Sequence, residues 1–189
     1  MSTYKAYFYI SLIGSLFIFS CQPYNIITDL ERPIAPKSTF AIGPITDGLP
    51  DDMDIDKKPT LEEIELLKTE LINELNDHKS LDIYAQIGDS AYYEINGVVY
   101  EFARGSGTMR FLFGSLAGNA RLKLRLQLEE KKTSEIVFEG DFWATIGGGD
   151  WITSSEAMFQ TIAHNFAKAL EKQNDNLIES KGENNSLEE

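Results

Sequence analysis

Two neighbouring runs of the chain alternate strictly between apolar and polar residues. Ala120, Leu122, Leu124, Leu126 and Leu128 fall on one side, and Arg121, Lys123, Arg125, Gln127 and Glu129 on the other. Further on, Ile136, Phe138, Gly140, Phe142, Ala144 and Ile146 alternate with Glu135, Val137, Glu139, Asp141, Trp143 and Thr145. Successive side chains of a strand point to opposite faces, so each run predicts a half-buried strand with one wet face and one covered by helices. With Glu130 to Ser134 as the turn, the two make a hairpin that sets Leu122 opposite Phe142, Leu124 opposite Gly140 and Leu126 opposite Phe138. The polar face then pairs Arg121 with Trp143, Lys123 with Asp141 and Arg125 with Glu139.

Other periods flank this hairpin. Lys37 to Ile45 predicts a first strand, with Phe40, Ile42 and Ile45 inward, stopped by Gly43-Pro44 and Asp47-Gly48. Thr60-Leu61-Glu62-Glu63 is a capping box, and Leu61, Ile64, Leu67, Leu71, Ile72 and Leu75 then repeat at helical spacing to about Asn76. Leu81 to Ile87 returns to a strand. Asn96-Gly97, between Tyr92–Ile95 and Val98–Phe102, predicts a two-residue hairpin turn. After Gly147-Gly148-Gly149, Thr153 to Glu156 is a second capping box. Met158, Phe159, Ile162, Phe166, Ala169 and Leu170 line a helix to about Lys172. The fold class these elements imply is α/β: a two-layer sandwich, a mixed sheet of about four to six strands with helices packed on one face.

Composition narrows the function. The chain has 189 residues, 42% of them apolar, which is enough for one core. A formal charge of −13 argues against nucleic acid as a partner. The single cysteine excludes an internal disulfide. Lys5 followed by an apolar run from Ala6 to Phe19 is too short to span a ~30 Å hydrocarbon core, and it ends in Ile18-Phe19-Ser20-Cys21. That ending resembles a bacterial lipobox, in which Cys21 is acylated after cleavage on its N-terminal side. A plain secretory signal with an incidental cysteine, or an uncleaved anchor, are the alternatives. The organisation expected is a signal peptide over 1–20, a lipidated cysteine and Pro-containing tether over 21–36, a periplasmic domain over 37–173 and a disordered acidic tail over 174–189.

Asp52, Asp54 and Asp56 alternate as calcium ligands do, but Lys57 stands where a calcium loop needs glycine, so no metal is expected. Gly105, Gly107 and Arg110 lack the third glycine and the lysine of a nucleotide loop, so tight backbone turns are expected there. His78 closes the first helix, where a cation offsets the helix dipole. His164 falls between Ile162 and Phe166, at a core boundary, and Glu129-Glu130 read as surface charges. No catalytic constellation or cofactor motif emerges, and an enzyme is not expected. Within the glycine segment, Phe111-Leu112-Phe113 is either a buried strand or a loop that leaves Phe111 or Phe113 exposed beside Arg110 as a partner-contact patch.

The segment from Val98 to about Gln173 resembles a bacterial lipoprotein family known only as a domain of unknown function. The residues that carry the resemblance are Gly105, Gly107, Arg110, Gly114, Gly118, Leu122, Leu124, Leu126 and Gly147 to Gly149. The order of elements is also similar to the periplasmic domains of the curli secretion-channel lipoprotein and of the penicillin-binding-protein activator lipoprotein. These resemblances imply a two-layer α/β domain facing the periplasm from a lipid anchor, with no catalytic residues to carry over. Together these readings give an expected function: a non-enzymatic binding or assembly module, held to the membrane through Cys21 and partnered by an envelope protein or by further copies of itself. The outer membrane is expected because Gln22, not aspartate, follows the cysteine. The alternative is a small-ligand or anion-binding protein, or an enzyme, using Gly105 to Gly118 and Arg110.

Overall fold

A computed structural model of the chain describes residues 23–54, 57–87, 91–104, 119–146 and 155–185. In chain order the elements are β1 (Tyr24–Thr28), β2 (Thr39–Asp47), α1 (Leu61–Asp77), a 3-10 turn (Lys79–Leu81), β3 (Tyr84–Gln86), β4 (Tyr93–Ala103), β5 (Ala120–Glu130), β6 (Glu135–Ile146) and α2 (Ser155–Asn185). The strands form one mixed sheet in the order β1-β6-β5-β4-β2-β3. β2 runs parallel to β3 and β4, and the other neighbours are antiparallel. Both helices pack on the sheet, giving the α/β fold expected of the pattern.

The apolar face of the alternation became the core. Leu122, Leu124, Leu126, Leu128, Phe138 and Phe142 are buried together with Leu67, Leu71 and Leu75 of α1 and with Met158, Ile162 and Phe166 of α2. The Phe166 ring meets Phe138 and Phe142 edge-on, at centroid separations of 5.8 and 5.5 Å, a favoured aromatic geometry. α1 begins at the expected capping box, in which Thr60 Oγ1 accepts from the Glu63 N–H and the Glu63 carboxylate accepts from the Thr60 N–H. The second box begins before the described part of α2.

Four expectations are corrected. The β5–β6 register lies two residues away from the expected one: Leu122 faces Ala144, Leu124 faces Phe142 and Leu126 faces Gly140. The turn uses four residues, Lys131 to Ser134, and the ladder then skips Val137 between the Phe138 and Ile136 pairs. Each change adds one residue, so from Phe138 onward the even total slip exchanges partners without turning the faces over, whereas Ile136, before the bulge, is turned from its expected inward position to the exposed face. Asn96-Gly97 makes no turn but lies inside the continuous strand β4. Asn96 stands opposite Gly43-Pro44, where β2 bulges and continues to Asp47, and a Cβ on Gly97 would meet Leu126 Cδ2 at 3.0 Å. Glycine is therefore used here for close packing, not for a turn conformation.

The third correction concerns residues 22–36, expected as a tether. β1 within it is an edge strand paired with β6, and Leu30 and Ile34 are buried. The fourth concerns the end of the chain, where α2 continues far past Lys172. Asn174 is buried on the same helix face as Leu170, and its Oδ1 accepts from the Ile34 N–H at 2.8 Å. The helix is prolonged because its polar continuation still satisfies a buried backbone donor.

Candidate interaction surface

The helices leave one face of the sheet open, and the polar half of the alternation forms it. Arg125 on β5 reaches across to β6, where its Nε lies 2.8 Å from Asp141 Oδ1 and its Nη2 lies 3.2 Å from Oδ2. Glu139 stands 3.4 Å from the same Nε. On β4 an irregularity between Val99 and Glu101 turns both Tyr100 and Glu101 to this face. Burial and the Asp141 carboxylate push the Tyr100 phenol up to about 12. Glu101 pairs with Lys123 at 2.8 Å, Gln127 donates to Glu139 at 3.2 Å, and Lys131 lies 3.3 Å from Glu94. Cross-strand ion pairs of this kind stabilise weakly, by ~0.2–1 kcal/mol each, but they neutralise the face. Val98, Tyr100 and Ile136 are exposed among them. The result is a largely charge-paired surface with apolar and aromatic side chains set into it.

A second cluster closes one corner. Glu63, the third residue of α1, accepts from Arg104 Nε at 3.0 Å and from Ser155 Oγ at 2.8 Å. Arg104 also donates to the Lys58 carbonyl at 2.8 Å. Burial by itself raises the Glu63 carboxyl, but Arg104, the Thr60 N–H and Ser155 outweigh it and hold it at about 2. One carboxylate thus ties the end of β4 and the start of α2 to the first turn of α1.

At the other end of the sheet, Glu130 occupies the next inward position after Leu128 and is buried. It accepts from Arg32, from the Tyr92 hydroxyl and from Thr133 Oγ1. The Tyr92 hydroxyl, helped by Thr133 and Arg32, lowers its carboxyl against the effect of burial. Reading Glu130 as a surface charge was wrong, although its even position in the alternation carried the signal. A shallow cavity of about 460 Å³ beside this cluster is lined by Arg32, Lys37, Tyr92 and Tyr93 among others.

The two histidines meet between the helices. His164 Nδ1 lies 2.8 Å from Glu74 Oε1, and His78 at the end of α1 lies 3.4 Å from the same oxygen. Among the described residues no group of three His, Cys, Asp or Glu side chains could hold a metal ion, and no helix is long and apolar enough to cross a membrane. Cys21, Arg110, Phe111 and Phe113 lie outside the described residues. Asn174 and the Glu63–Arg104 pair were missed. Asn174 continues the 163, 166, 170 spacing of the helix core, whereas nothing local signals Arg104.

No protein-family model matches the chain, and no curated protein matches it. Solved structures do. The PelC dodecamer from Paraburkholderia phytofirmans superposes with a TM-score of 0.51 at 12% identity, covering 77% of this chain and 96% of that one. A methionine variant of the same dodecamer gives 0.52 at 14% identity, covering 78% and 95%. A Xanthomonas campestris protein of the family model DUF330 gives 0.44 at 14% identity, covering 85% and 95%. At these identities the likeness to the two PelC structures shows a shared fold.

Proposed function

We propose that the protein is a lipid-anchored envelope protein, facing the periplasm of the outer membrane, that acts as a non-enzymatic assembly module built from copies of itself. The observation that carries this reading is the open sheet face, where Val98, Tyr100 and Ile136 are exposed among side chains that neutralise one another. Such a surface has little net charge to repel a second copy, and aromatic residues and arginine are the types that dominate interface energetics. The PelC structures, which share the fold, are dodecamers. The lipobox sequence ending at Cys21 supports the anchor. Arg110, Phe111 and Phe113 are proposed as further contact residues, because the stretch that carries them follows directly on the Glu63-clamped Arg104.

Sedimentation of the full processed protein in detergent tests the assembly. A defined oligomer is expected, and a Val98→Glu, Tyr100→Glu double variant should sediment as a monomer with its thermal transition retained. A wild-type protein that stays monomeric at micromolar concentration would end the reading.

A further inference from the structure

We infer that the domain stands on the lipid surface by one defined end of its sheet: the end where β4 and β6 finish and β5, α1 and α2 begin. This rests on the proposed acylation of Cys21 and adds an orientation to it. β1 runs antiparallel to β6, with Tyr24 opposite Phe142 and Thr28 opposite Glu139. Just before it, the Pro23 carbonyl accepts the Trp143 N–H at 3.1 Å. Traced backwards from Tyr24, the chain therefore heads toward Ile146. Cys21 stands two residues before Pro23. Consecutive Cα atoms are 3.8 Å apart, so the two Cα atoms lie within about 7.6 Å of one another. What the sequence suggested as a long tether is consumed by β1, and the free part that remains is too short to let the domain turn over.

Several elements share this end. Ala120 pairs with Ile146 and Ala103 with Arg121, while Arg104 and Ser155 both bond Glu63 in the first turn of α1. Leu61, the first residue of α1, is there too and is 86% exposed, although its helical spacing places it with the core residues. An apolar side chain on this end has a lipid surface to meet. The opposite end, the turn from Lys131 to Ser134, lies roughly 30 Å from Trp143 at ~3.3 Å per strand residue. α2 starts near the lipid and its 31 residues rise roughly 46 Å, carrying the C-terminal end of the helix away from the lipid.

The test uses the full acylated chain in phosphatidylethanolamine–phosphatidylglycerol vesicles that contain doxyl-labelled lipid. Leu61→Cys and Lys132→Cys variants each take a thiol-reactive fluorophore, the Cys21 thiol being occupied by lipid. Strong quenching of the label at position 61 and little at position 132 is expected. Equal quenching at both positions, or stronger quenching at 132, would overturn the orientation, while flotation of the protein with the vesicles leaves the anchor standing. Protein that fails to float overturns anchor and orientation together.

Discussion

The two faces of β5 and β6 come from the same residues in alternation, yet they are held together by opposite physics. On the inner face Leu122 to Leu128 meet Phe138 and Phe142 with almost no exposed surface. Each side chain there contributes ~1.5–3 kcal/mol by leaving water, and neighbours cannot shift without opening a void. On the outer face Arg125, Asp141, Lys123 and Glu101 stay in contact with solvent and are joined by charge pairs worth far less. The inner face therefore decides whether the protein folds. The outer face is free to be shaped for contact with something else, and apolar residues such as Val98 can remain exposed on it.

This difference is open to direct test. Leu124→Asp, at the fully buried centre, introduces an unpaired charge and should cost on the order of 4 kcal/mol or more, enough to abolish a cooperative denaturant transition. Asn174→Ala acts on the covered side through a polar group. It leaves the Ile34 N–H buried without its acceptor and should cost about 1–3 kcal/mol in the same melts. A neutral result would mean that water replaces the amide.

Glu63→Gln probes the partly covered corner between these extremes. The wild-type carboxyl is held at about 2 in the folded state, below its ordinary 4.5. Its contribution is thus complete above pH 4.5 and lost as pH falls from there toward 2. The variant's stability should fall less steeply across that window, and an unchanged acid slope would show that Glu63 does not carry the linkage. The smallest effect is expected on the outer face. Lys123→Asp exchanges a solvent-exposed pair with Glu101 and should cost no more than ~1 kcal/mol. If Lys123→Asp and Leu124→Asp melted alike, the two faces would not differ as described.

The same contrast explains which features could be read along the chain. From Ala120 and from Phe138 onward the alternation assigned side chains to their faces, since that assignment depends only on the period of a strand, but the bulge at Val137 reversed it for Ile136. The capping box at Thr60 was equally legible, because donor and acceptor lie three residues apart. Partners were harder. Leu124 meets Phe142 and not Gly140, because a four-residue turn and the bulge at Val137 each moved the ladder by one residue. Both are choices about hydrogen bonding between strands, and neither leaves a mark on periodicity.

The sequence by itself determined the class of the fold, the inner face and the acidic, single-cysteine character of the chain, all of which follow from local spacing or composition. Only the tertiary structure decided the rest. Asn96-Gly97 looks like a turn until Gly43-Pro44 and Leu126 are placed against it. The residues before Pro36 look like a linker until β6 offers Tyr24 to Thr28 an open edge. The Asn174 region looks like a solvated tail until Ile34 needs an acceptor. In each case residues tens to more than a hundred positions apart settle the conformation together, and a reading of neighbours along the chain contains no term for that energy.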